Sequence, residues 1–70
     1  MLTPDVLKSY LLEMPPGHIF ELRYDLFATV FPPGASDRAA WAALKALAET
    51  CGFVVKDIAD ERRIELIKQG

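Results

Sequence analysis

The chain has 70 residues, of which 51% are hydrophobic and 26% charged, and its formal net charge is −2. This length predicts one domain over residues 1–70, and the composition is that of a globular protein, which excludes a disordered tail. One cysteine and one histidine exclude an internal disulfide and are too few for a Cys/His zinc site. Without a long apolar run or a basic N-terminal stretch, we expect a cytoplasmic chain outside the membrane.

The first helix is predicted over residues 3–14. Thr3 suits the N-cap, Pro4 suits the first helical position, and Pro15-Pro16-Gly17 ends the helix. Apolar residues spaced by three and four indicate an amphipathic helix, and these are Val6, Leu7, Tyr10, Leu11 and Met14.

Residues 18–31 fit two patterns. Phe20, Tyr24, Phe27 and Phe31 have helical spacing, whereas residues 19–24 also alternate between apolar and polar. We expect a short extended segment over 18–20, followed by a second helix from about 21 to 31.

The third helix is predicted from about residue 37 to 50. Pro32-Pro33-Gly34 predicts a type II turn before it, Ser36 an N-cap, and Gly52 a C-terminal stop. Its apolar face is predicted to comprise Ala40, Trp41, Leu44, Leu47, Ala48 and Cys51. We expect a common core of Phe27, Phe31, Trp41, Leu44 and Leu47.

The remaining residues favour a β-hairpin with strands over 53–58 and 62–68. The first strand is rich in β-formers, and the second alternates charged and apolar residues, so that Ile64 and Leu66 share one face. A helix over 60–69 is the alternative, because Glu, Arg, Lys and Gln are good helix formers.

The predicted fold class is thus α+β, with three helices followed by a C-terminal hairpin. Three segments carry a likeness across essentially the whole chain: Phe31-Pro32-Pro33-Gly34-Ala35-Ser36, Trp41-x-x-Leu44-x-x-Leu47, and Gly52-Phe53-Val54-Val55. The chain resembles the winged helix-turn-helix domain, although four residues rather than three separate Leu47 from Gly52. The resemblance implies that the third helix and the hairpin, or wing, contact DNA.

The resemblance also implies a set of contact residues. On the third helix Arg38 would read guanine, Lys45 would meet phosphate, and Ala42 would lie between them. Arg62 and Arg63 would contact DNA from the wing. We therefore expect a regulatory module that binds double-stranded DNA, as a homodimer because two weak half-sites reinforce each other.

A protein-interaction module is the alternative function. It would be an adaptor, or a small inhibitor of the kind that phages and mobile elements encode, docking through Glu13, Glu21 and Asp25 without binding nucleic acid. Residues 1–37 carry a net charge of −3 and residues 38–70 carry +1, so the acidic half suits a basic partner. Known catalytic motifs are missing, so we expect no enzymatic activity, no cofactor and no small-molecule substrate.

Overall fold

Three α-helices and a three-stranded antiparallel sheet form the fold of the computed structural model, which describes residues 2–69. The helices are α1 (Pro4–Glu13), α2 (Tyr24–Val30) and α3 (Arg38–Thr50). The strands are β1 (Ile19–Arg23), β2 (Phe53–Ile58) and β3 (Arg63–Lys68), with a short 3-10 turn at Ala59–Glu61 between the last two. The α+β class is confirmed.

The sheet has the order β1-β3-β2, so the last strand lies in the centre and is antiparallel to both neighbours. The hairpin prediction is confirmed for β2 and β3, and the alternative helix over 60–69 is wrong. The predicted hairpin is nevertheless incomplete, because β1 pairs with β3 from Ile19 opposite Ile67 to Arg23 opposite Arg63.

Strand β1 also corrects the predicted start of the second helix. Residues 21–23, which were expected to be helical, are extended, and α2 begins only at Tyr24. The alternating pattern prevails because Phe20 and Leu22 pair with the apolar residues Leu66 and Ile64 of β3. The spacing of residues 18–31 alone cannot reveal this pairing, because the partner strand β3 lies far along the chain.

The helix ends follow from side-chain caps. The Thr3 hydroxyl accepts a hydrogen bond from the Val6 amide at 3.2 Å, as the predicted N-cap of α1 requires. Asp37, and not Ser36 as predicted, caps α3, because its carboxylate accepts from the Ala40 amide at 3.1 Å. Gly52 follows the C-cap with φ +80°, which confirms its predicted role.

The core lies between the helices and one face of the sheet. Phe27 and Leu44 are fully buried as predicted, while Phe31, Trp41 and Leu47 are only partly buried against them. The remaining fully buried large side chains are Leu7, Leu11, Leu22, Ile64 and Leu66. Ile64 and Leu66 therefore share the inward face of β3, as the hairpin reading requires.

Gly34 brings the turn before α3 against α2. Its φ is +101°, a conformation that favours glycine, and a Cβ built there would lie 2.8 Å from the Cβ of Ala28. The absence of a side chain at position 34 therefore allows the turn before α3 to pack directly against Ala28 of α2.

Candidate nucleic-acid interface

The exposed face of α3 holds all three contact residues predicted on that helix. Arg38, Ala42 and Lys45 are exposed, and at 100° per residue they lie within about 60° of one another around the axis. Arg38 and Lys45 are separated by two turns, or about 10 Å along the axis. The two bases therefore point to the same side of α3, with the small Ala42 side chain beside them.

Three contacts hold α3 in place behind this face. Its opposite side is buried, and the indole nitrogen of Trp41 donates a hydrogen bond to the Ala35 carbonyl at 2.8 Å. At the C-terminal end, the Lys68 ammonium donates to the Cys51 carbonyl at 2.7 Å and lies 5.1 Å from the centre of the Phe53 ring. A cation at this end also suits the helix dipole.

Arg62 is the last residue of the turn between β2 and β3, directly before β3 begins. It is exposed and adopts the left-handed conformation with φ +52°. Its amide donates to the Ala59 carbonyl at 3.1 Å, and its carbonyl accepts from the Tyr24 amide at 2.9 Å. The turn is thereby tied to the start of α2, and the Arg62 side chain is presented from a fixed backbone.

Arg63 is placed differently from its neighbour. Its guanidinium Nε lies 3.0 Å from Glu61 and its NH1 lies 2.8 Å from Glu65, and only 21% of its side chain is exposed. Glu61 and Glu65 raise the pKa of Arg63 further above its ordinary value. The structure therefore separates Arg62 and Arg63, because the Arg63 charge is already occupied by two carboxylates.

A contact that the sequence does not signal joins α2 to β2. The Tyr24 hydroxyl donates a hydrogen bond to the Asp57 carboxylate. This bond raises the pKa of Tyr24 to about 12, and partial burial and the negative charge of Asp57 act in the same direction. The Asp57 carboxylate, which lies in β2 and therefore in the wing, already has a hydrogen-bond partner within the chain.

The electrostatic balance of this surface is mixed. The charged side chains exposed on α3 are Arg38, Lys45 and Glu49, which leave one net positive charge. The segment 56–62 contains two bases and three acids, which leave one net negative charge. The bases are therefore interleaved with acids across α3 and the wing.

An open groove of about 280 Å³ runs between α3 and β2. It is lined by Lys45, Glu49, Phe53, Val54 and Val55. The groove joins the edge of the α3 face to the first half of β2, so a ligand on α3 would also meet apolar surface there.

The acidic residues of the alternative function lie on three different elements. Glu13 ends α1, Glu21 lies in β1, and Asp25 is in the first turn of α2, 3.9 Å from Arg23. All three are exposed. The neighbouring Arg23 partly offsets the charge of Asp25.

Comparisons with protein-family models, with curated proteins and with solved structures find no match. Within residues 2–69, no helix combines the length and the apolar character needed to cross a bilayer. Those same residues hold no group of three or more His, Cys, Asp or Glu side chains arranged to bind a metal ion.

Proposed function

We propose that the chain is a winged-helix module that binds double-stranded DNA through α3 and the β2–β3 turn. The element order supports this proposal, since two consecutive helices, α2 and α3, precede a hairpin that is extended by an earlier strand. The observation that carries it is the exposed face of α3, where Arg38 and Lys45 point to one side with small residues between them.

Each residue of this face has a distinct role in the proposal. Arg38, in the first turn of α3, reaches the major-groove edge of a guanine, whose O6 and N7 suit a bidentate guanidinium. Ala42 allows the helix to approach closely and contacts a thymine methyl group. Lys45 and Arg62 neutralise phosphates on either side of the groove. Arg63 is left out, because Glu61 and Glu65 hold its charge.

The charge balance sets the expected strength of binding. Two phosphate contacts give a slope of about −1.8 in a plot of log affinity against log salt concentration. The net charge of −2 and the acids beside Arg62 oppose the approach of a duplex. We therefore expect weak binding that is measurable only at low salt.

A titration of labelled duplex in about 50 mM salt tests the proposal. Arg62→Ala and Lys45→Ala should each weaken binding to all sequences and flatten the salt plot by about 0.9. Arg38→Ala should cost roughly 1–3 kcal/mol at a preferred site and relax the preference there.

Lys8→Ala is the matched control, because it removes the same charge from the exposed surface of α1. It should leave DNA binding nearly unchanged. Absence of binding at about 50 mM salt and tens of micromolar protein would remove the nucleic-acid proposal, because phosphate contacts are strongest at low salt.

A protein partner is the second candidate function, and the interleaved charges favour it. The solvent face of α3 carries exposed alanines, and the groove beside it is lined partly by the apolar side chains of β2. Such a surface offers apolar contacts that a protein partner can bury. The acidic residues Glu13, Glu21 and Asp25 would then meet a basic patch on that partner.

A pull-down that compares two doubly neutralised variants tests this second candidate. Glu21→Gln/Asp25→Asn should release a captured partner, whereas Asp5→Asn/Asp60→Asn removes two exposed charges outside the proposed interface and should retain it. Equal capture by both variants would remove the acidic residues from the interface.

A further inference from the structure

The face of the sheet that points away from the helices is defined by alternation along each strand. Leu22, Ile64 and Leu66 are buried toward the helices, so the residues between them point the other way. The ion pair between Arg63 and Glu65, two positions apart, confirms that odd-numbered residues of β3 share one side. We call this side the outer sheet face, and it comprises Ile19, Glu21, Arg23, Val54, Lys56, Ile58, Arg63, Glu65 and Ile67.

One row across the outer sheet face is entirely apolar. The register places Ile19 of β1 opposite Ile67 of β3, and Ile67 opposite Val54 of β2. Ile19 is 57% exposed and Val54 is 48% exposed. A solvated sheet face normally carries polar side chains, so three adjacent apolar residues form an apolar stripe that is available to another molecule.

The next row carries charges in a complementary order. Glu21 of β1, Glu65 of β3 and Lys56 of β2 lie side by side. Glu65 is paired with Arg63 of its own chain, which leaves the exposed side chains of Glu21 and Lys56 at the two edges. Among residues 2–69, neither Glu21 nor Lys56 has an ion-pair partner within 4.0 Å. The row is therefore negative at one edge and positive at the other.

We infer that the outer sheet face docks on the outer sheet face of a second copy of this chain. A two-fold axis parallel to β3 and midway between the two sheets places β1 of one copy over β2 of the other. Each row of one copy then faces the same row of the other. Ile67 then faces Ile67, Ile19 faces Val54, and Glu21 faces Lys56 at both edges. Such an interface is self-complementary, as a two-fold dimer requires, and packs two sheets about 10 Å apart.

The central column adds no unbalanced charge to this arrangement. Glu65 and Arg63 each meet their own symmetry copies, but within each chain the Glu65 carboxylate and the Arg63 guanidinium are paired at 2.8 Å. In the last row Arg23 faces Ile58, so its aliphatic stem covers apolar surface while its head remains in water. The apolar row supplies the buried area, and the two Glu21–Lys56 pairs set the orientation.

The size of the face makes this a weak dimer. Three strands and three rows span about 10 Å by 14 Å between outermost positions, which is below a standard stable interface. We therefore expect a dissociation constant of about 0.1 to 1 mM, which corresponds to a binding free energy of about 7 to 9 times the thermal energy.

Sedimentation equilibrium of the wild-type chain, up to about 1 mM, tests the inference. The dimer fraction should rise across this range. Glu21→Lys alone and Lys56→Glu alone should each weaken association by roughly 5- to 30-fold, because two exposed pairs change from attraction to repulsion. The combined variant E21K/K56E restores both pairs and should recover the wild-type dimer fraction.

A matched apolar pair separates this face from the rest of the surface. Ile19→Asn should reduce the dimer fraction, whereas Leu12→Asn, at a residue of α1 that is 56% exposed, should not. A chain that stays monomeric at 1 mM, or a combined variant that remains weakened, would overturn the inference. None of these residues lies on α3 or in the β2–β3 turn, so the result is independent of DNA binding.

Discussion

Gly34→Ala offers the most direct test of how α2 and α3 are joined, and Gly17→Ala is its control. Both glycines have positive φ, +101° and +88°, so both variants place an alanine in a conformation that costs roughly 1–2 kcal/mol. The new Cβ at position 17 meets no atom within 4 Å. The one at position 34 lies 2.8 Å from the Ala28 Cβ and 2.9 Å from its Cα.

The difference between the two variants isolates the steric clash. Carbon atoms in contact prefer about 3.5–4.0 Å, and the backbone of Ala28 cannot rotate away, so overpacking adds roughly 1–3 kcal/mol. Each substitution also lowers the conformational entropy of the unfolded chain, which stabilises the folded state by about 0.4–1 kcal/mol. Gly17→Ala should therefore lower the free energy of unfolding by about 0–1.6 kcal/mol, and Gly34→Ala by about 1–5 kcal/mol.

Urea unfolding followed by the fluorescence of Trp41, the single tryptophan, measures both values. The indole packs at 4.9 Å from the Phe27 ring in the core, so its emission reports loss of the fold. An unchanged m-value would confirm that stability and not compactness has changed. Equal losses in the two variants, within about 0.5 kcal/mol, would refute the close approach of Gly34 to α2.

Four further predictions concern individual side chains. Leu44→Ala should lower the free energy of unfolding by roughly 2–5 kcal/mol, since its side chain is fully buried, as urea unfolding would show. Asp57→Asn should bring the titration of Tyr24, followed by ultraviolet absorbance, down from about 12 toward 10. Because the pKa of Tyr24 is higher in the folded chain, its stabilising contribution is complete below pH 10 and is lost as the pH rises from 10 through about 12. Urea unfolding of the wild type and of Tyr24→Phe across this pH range checks this. A difference in the free energy of unfolding between the two chains that stays constant with pH would contradict it. Lys68→Met keeps the apolar stem but leaves the Cys51 carbonyl without its donor, and thermal unfolding should show a loss of about 1–2 kcal/mol.

The sequence predicts most elements because their signals are local. The Thr3 cap, the alanine-rich α3 and the alternation at Ile64 and Leu66 each depend on a few neighbouring residues. Strand β1 is the exception, because Phe20 fits helical spacing as well as alternation. Only a partner strand more than 40 positions away decides between them, and no local pattern reports it.

The candidate site also combines features that local sequence predicts with contacts between distant segments that it does not. Exposure of Arg38 and Lys45 follows from helical periodicity, so it is predictable from the position of Leu44 on the opposite side. Pairing of Arg63 with Glu65 is also signalled, because residues two apart on a strand share a face. By contrast, the contacts of Tyr24 with Asp57 and of Lys68 with Cys51 join distant segments, and residue type alone does not indicate them.

The central position of β3 has a consequence for the order in which the chain can fold. Strands β1 and β2 pair with β3 and not with each other, and the β1–β3 partners are 40 to 48 positions apart. During synthesis, helices can form as soon as their own residues leave the ribosome, whereas no strand has a partner until residues 63–68 emerge. Pairing over such a separation is slow, so we expect the sheet to be the last element formed and to set the folding rate.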